Sequence, residues 1–162
     1  MQTNRLALAC ILSCALSCAP KEQQQQRDPV IHTEARTTVI DVVFDTPAGP
    51  VRARAELADT QEARRVGLMH RRQLDVDAGM LFVFPTEDRH TFWMKNTLIS
   101  LDMIFINNAH VVVGIVHRAT PHSTEPRGVD RPSRYVLEMS GGWAAKRGIR
   151  AGTPVRMPSM KR

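Results

Sequence analysis

The chain of 162 residues, 18.2 kDa, is one ordinary domain with room for a tail. Hydrophobic residues make up 43% and charged residues 23%, and 9 glycines with 10 prolines are too few for a fibrous or low-complexity chain. These values, with a net charge of +6, exclude a multidomain enzyme, a polytopic membrane protein and a coiled coil.

The chain opens on Arg5 followed by LALACILSCALSC, an apolar run that ends at Cys18. The run falls short of the roughly 20 apolar residues that span a bilayer, but it has the parts of a secretory signal. Ala15-Leu16-Ser17 before Cys18 resembles the bacterial lipoprotein signal, in which the cysteine becomes the lipidated first residue. The preferred leucine sits one place late, Cys14 is a second candidate, and a plain secretory peptide cut near Ala19 is the bland reading. All three cysteines (Cys10, Cys14, Cys18) lie in this segment, so the folded part has no disulfide, no thiolate nucleophile and no Cys-based zinc site. The expectation is a lipoprotein-type signal peptide over 1–18, with lipid on Cys18. Residues 19–36, with the run QQQQ and two prolines, cannot bury enough surface to order themselves and read as a flexible tether. The expected location is the periplasmic or cell-surface face of a bacterial membrane, held by the lipid.

From there a single β-rich domain is expected over 37–158, followed by a basic tail at 159–162. The β-branched stretch 37–45 (TTVIDVVFD) reads as a strand, Pro47-Ala48-Gly49-Pro50 as a turn, and 51–57 (VRARAEL) as a half-buried strand. Asp59 heads a short helix, with Glu62 at capping-box spacing. GMLFVF at 79–84 is a short apolar strand, and 91–94 is a candidate for another. LISLDMIFI at 98–106 is so apolar that it must be buried on both faces. Asn107-Asn108 turns the chain, and 111–116 returns as its partner. Residues 117–132, rich in Pro, Arg and His, form a long loop. RYVLEMS at 134–140 is a strand, Gly141-Gly142 leads into a helical turn through Lys146, and 153–157 is the last strand. Phe82, Phe84, Phe92, Trp93 and Phe105 should supply much of the core. The predicted fold is mostly β (β-rich α+β): a small barrel or sandwich of short antiparallel strands with one or two short helices.

The residues from Gly67 to Glu138 resemble the domain-of-unknown-function 192 family of bacterial and archaeal proteins. The matching pieces are Gly67-Leu68-Met69, Gly79-Met80-Leu81-Phe82 with Phe84, and Phe92-Trp93-Met94-Lys95-Asn96-Thr97. Leu101-Asp102, Ile104-Phe105-Ile106 and Tyr135-Val136-Leu137-Glu138 follow, then Gly141 and Gly152. The resemblance covers roughly 37–158. It implies a compact β-rich domain, often exported or membrane-attached, with no established activity. Ser100 stands where the family often has proline, and Thr153 where an acidic residue is common.

Asp102 and Glu138 interrupt apolar strands, where a carboxylate is costly unless paired. In a strand Asp102 shares a face with Ser100, Ile104 and Ile106. Lys95 and Asn96 break the aromatic stretch. One reading gathers Lys95, Asn96, Asp102 and Glu138 in a pocket beside Trp93, able to bind a polar ligand or do acid–base work. The competing reading is structural: Lys95 or Arg134 pairs with a carboxylate, Asn96 ties down a turn, and Trp93 is core. His117 and His122 share the Pro-rich loop, a weak metal signal. Met69-His70, Met80, Met94 and Met103 supply thioether and imidazole, a Cu(I)-type set, although methionine also fills gaps in cores. No GxSxG, P-loop or GxGxxG occurs.

Residues 1–116 carry 12 basic and 13 acidic side chains, and residues 117–162 carry 10 and 3. A basic half suggests nucleic acid, but an exported protein meets anionic envelope lipid or acidic polymers instead, so no nucleic-acid partner is expected. The bland reading is a solvated surface. The leading expectation is a lipid-anchored envelope protein whose β-rich domain binds a ligand or partner. The alternatives are a small envelope enzyme working through the Lys/Asn/Asp/Glu pocket, and a Met/His copper protein. No cofactor is expected and no metal ligand is assigned.

Overall fold

The computed structural model describes residues 38–159; the expected signal peptide, the tether, Cys18 and the last three residues of the basic tail lie outside the described residues. Strand β1 (Val39–Thr46) buries Val42 and Phe44 and turns Asp41 and Asp45 outward, the period-two pattern of a half-buried strand. It turns through Pro47-Ala48 into β2 (Gly49–Ala58), with Thr46 opposite Gly49. Gly49 takes φ 115°, a left-handed value suited to glycine, and its carbonyl accepts a 2.7 Å hydrogen bond from Thr46 Oγ1. Along β2 the small Ala53 and Ala55 point into the core and Arg52 and Arg54 point out.

Helix α1 (Gln61–Val66) begins one residue later than the sequence predicts. Thr60, not Asp59, is the N-cap: its Oγ1 accepts from the Ala63 amide at 3.1 Å, while Glu62 pairs instead with Arg65. Strand β3 (Ala78–Asp88) then lies parallel to β2, with Arg54 opposite Ala78 and Ala58 opposite Phe82. This corrects the expectation of antiparallel strands throughout. A parallel pair needs a crossover of a dozen or more residues, and the segment carrying α1 supplies it. The remaining elements are β4 (Thr91–Phe92), β5 (Leu101–Ile106), β6 (Val112–Ala119), β7 (Arg127–Gly128), β8 (Ser133–Ser140), α2 (Trp143–Lys146) and β9 (Val155–Arg156). The expected loop at 117–132 therefore holds the end of β6 and all of β7, which pairs with β4.

The fold is mostly β with two short helices, built on a mixed seven-stranded sheet in the order β6-β5-β8-β3-β2-β1-β9. It is not a closed barrel. At one end the chain entering β6 meets the chain entering β9, where Val112 N donates to Thr153 O at 3.0 Å and Val155 N to His110 O at 2.8 Å.

Every residue of β5 is buried, but the expected buried run at 98–106 is strand only from Leu101: residues 98–100 precede it outside the strand, and Leu98 is 38% exposed. Strand β5 lies between β6 and β8 with a core on each face. Ile104 and Ile106 pack with Val42, Leu137 and Trp143, while Leu101, Met103 and Phe105 pack with Phe82, Met94 and Val136. Phe92 joins the second core edge-on to Phe82, with ring centroids 5.2 Å apart. The buried tryptophan is Trp143; Trp93, expected in the core, is 54% exposed. Gly79 lets β3 close on β8, because a Cβ there would lie 2.2 Å from the Glu138 carbonyl oxygen.

A carboxyl-floored recess as the candidate functional site

The two carboxylates that interrupt the strands lie on opposite faces of the sheet. In the β5–β8 register Asp102 stands opposite Met139 and Met103 opposite Glu138, and directly opposed residues share a face. Asp102 therefore points with Ile104 and Ile106 into the core that holds Trp143, as its parity predicts. Glu138 points with Val136 and Met103 into the other.

Asp102 is fully buried and fully used. Its Oδ1 accepts from the amides of Arg118 (2.8 Å) and Gly142 (2.9 Å), and its Oδ2 from the amide of Ala144 (2.9 Å). Arg118 sits in a β-bulge of β6 at φ 48°, where its N–H turns toward the carboxylate instead of the β5 backbone. Gly142, at φ 87°, starts α2. Asp102 thus joins the bulge to the start of α2, and neither it nor its three partners lines the recess that holds Glu138.

Glu138 has a different setting. It is 4% exposed, with Met80 and Met103 as its cross-strand neighbours on the same face. Its carboxyl has neither a hydrogen bond nor a salt bridge among the described residues, and burial alone pushes its pKa from 4.5 up to about 8. Neither Lys95 nor Arg134 pairs with it. Arg134 reaches Asn108 Oδ1 at 2.9 Å and lies over the Tyr135 ring.

Glu138 lies at the base of a recess of about 360 Å³. Phe82, Phe92, Leu68 and Thr97 form walls, and Arg64, Arg65 and Trp93 reach it from the rim. Arg64 is fixed there: its Nη1 donates to the carbonyls of Asp59 (2.6 Å) and Val83 (2.8 Å), and its guanidinium lies 5.4 Å from the Phe84 ring centroid. His90 stacks on Phe84 with centroids 3.6 Å apart, and burial holds its imidazole below its ordinary 6.5.

Of the five residues assigned to one pocket by sequence, Trp93 and Glu138 line this recess. Lys95 is exposed, with its Nζ 5.4 Å from the Trp93 ring centroid. Asn96 is an exposed turn residue at φ 57°, and its carbonyl accepts from the His70 amide at 2.9 Å. Asp102 is on the far side of the sheet. The four polar side chains therefore do not converge, and the acid–base enzyme built on Asp102 with Glu138 has no geometry to work with. Met94 and Met103 are wholly buried beside Phe82 and Phe105, while His70 is exposed, so these residues pack a core and do not form a joint copper site. Among the described residues no three His, Cys, Asp or Glu side chains come together as a metal site.

The sequence reading missed Arg64, since an arginine on a short helix reads as a solvated side chain. Its grip on the Val83 carbonyl depends on the crossover that lays α1 beside β3.

Two solved structures share the architecture. One is a protein of unknown function from Novosphingobium aromaticivorans DSM 12444, 34% identical, with a TM-score of 0.73 over 85% of this chain and 99% of that one. The other, from Sinorhizobium meliloti 1021, is described as a proposed transcription regulator; it is 34% identical, with a TM-score of 0.72 over 75% of this chain and 95% of that one. No protein of curated function matches significantly. Residues 41–157 match the family described as uncharacterised ACR proteins. With the signature strands, the turn at Asn96 and the two strand carboxyls all placed, the chain belongs to the domain-of-unknown-function 192 family.

Proposed function

We propose that this protein is a tethered binding module that takes a small, mostly apolar molecule into the recess above Glu138. The observation that carries the reading is the Glu138 carboxyl itself. Glu138 is 4% exposed, lines an aromatic-walled recess, and its carboxyl has no hydrogen-bond or ion-pair partner among the described residues, although buried polar groups are ordinarily satisfied. An apolar hollow with a few polar groups directed into it is the usual form of a small-molecule site. A carboxyl with a raised pKa stays protonated at neutral pH and can donate a hydrogen bond to a bound polar group.

The name of the Sinorhizobium meliloti relative raises nucleic acid as a partner. The helices described here have six and four residues, little to lay in a major groove, and the recess is walled with apolar side chains. Ligand binding is the reading these features favour.

Titrating the isotopically labelled chain from residue 19 onward with phenylbutanol tests the recess. Amide shifts are expected to concentrate at Leu68, Phe82, Phe92 and Thr97; a titration that leaves all four unmoved contradicts the reading.

The tether follows from the sequence alone: an apolar signal ending at Cys18, then a Gln-rich stretch. Export and lipidation at Cys18 would hold the module at a membrane face. The full chain expressed in a bacterium is expected to partition into detergent, and Cys18→Ser to move it to the aqueous phase. Partitioning unchanged by Cys18→Ser contradicts lipidation at that residue.

A further inference from the structure

Resting on the recess reading above, we infer that the ligand is a small organic acid: its anionic group meets Arg64 at the rim and its apolar body lies along Phe82 and Phe92 toward Glu138. Arg64 is preorganised, held by two backbone carbonyls through Nη1 and by the Phe84 ring, and it has no carboxylate partner among the described residues. A guanidinium fixed in this way presents its remaining N–H groups to an anion with little further ordering. Its neighbour Arg65 is already paired with Glu62 at 2.5 Å. Beside the rim, Lys95 lies over Trp93 and adds positive charge without an acidic partner among the described residues.

The charges facing the recess are few. Arg64 and Arg65 come from α1, His90 from the turn after β3, and Glu138 from β8; the neighbours of Glu138 on β3 and β5 are Met80 and Met103. Among the described residues Glu138 is thus the one acid lining it, and it is buried. Below about pH 8 that carboxyl is neutral, so the recess as a whole is cationic and favours an anion over a cation of the same shape. A volume of about 360 Å³ accommodates a ring with a short chain, not a two-chain lipid.

Three probes with one apolar body and different head groups test the inference: phenylbutyrate, phenylbutanol and phenylbutylammonium. With the chain from residue 19 onward at neutral pH, phenylbutyrate is expected to bind about tenfold or more tightly than phenylbutylammonium, with phenylbutanol between them. Arg64→Gln is expected to weaken phenylbutyrate about tenfold and leave phenylbutanol unchanged, whereas Arg65→Gln changes neither much. The probe comparison needs no variant, so it stands even if Arg64→Gln weakens the fold.

Raising the pH from about 7 to about 9 is expected to weaken phenylbutyrate in the native chain as Glu138 ionises, and not in Glu138→Gln. Burial holds His90 below its ordinary 6.5, further from that span, so it does not mask the effect. Equal or tighter binding of phenylbutylammonium overturns the inference while leaving the recess reading intact. Failure of all three probes to move the recess amides overturns both.

Discussion

Asp102→Ala is expected to destabilise the domain by on the order of 5 kcal/mol, enough to unfold most domains of this size. The reason is a count of donors. The Asp102 carboxylate accepts the amides of Arg118, Gly142 and Ala144, and all three N–H groups lose their partner together. Each buried donor left unsatisfied costs about 1–3 kcal/mol. Asn is not a remedy. Its oxygen can serve Arg118 and Gly142, but its NH₂ then faces the Ala144 amide, a donor against a donor. Asp102→Asn is therefore expected to recover only part of the loss. Chemical denaturation measures both variants; a loss under about 1 kcal/mol in Asp102→Ala contradicts the bridging role.

Glu138 should behave in the opposite way. An acid whose pKa is raised by folding keeps its proton in the native state after the unfolded chain has released it. Stability then falls as pH rises, from the unfolded value of 4.5 up to the folded value of about 8, and stays low above it. The slope is about 1.4 kcal/mol per pH unit. Glu138→Gln removes this dependence while keeping the side chain's shape. Relative to the native chain, the variant is expected to gain about 4 kcal/mol between about pH 5 and about pH 8, read from denaturant midpoints. Parallel pH profiles for the two proteins contradict the assignment. A side chain that weakens the fold at neutral pH, while opening on a recess, is better explained by binding than by stability.

Much of this architecture is legible in the residues. Val42 and Phe44 inward with charged neighbours outward is a strand pattern that survives in the fold, and of the apolar run at 98–106 the part from Leu101 onward is a strand buried on both faces, while Leu98 is exposed. The two strand acids stand out as anomalies for the same reason. Parity even gives the face of Asp102. What parity cannot give is the pairing between β5 and β8, and there one residue of register decides everything. Asp102 opposite Met139 places Glu138 on the other face, and a shift of one would have placed the two together. The parallel β2–β3 pair was hidden because a strand–helix–strand order also suits a loop between antiparallel strands. Trp93 was assigned to the core because a tryptophan among phenylalanines is apolar by composition; its exposure follows from the turn that ends at Asn96. Arg64 carried no local signal, since its partner carbonyls come from Asp59 and Val83.

The site rests on Glu138 being an unpaired acid in an apolar hollow. A carbon-13 NMR titration of its side-chain carboxyl, assigned by its disappearance in Glu138→Gln, measures this directly. A midpoint near 8 is the expected result. A midpoint near 4.5, the ordinary value for glutamate, would show a carboxyl open to water or already paired, and would remove the basis for the recess as a binding site.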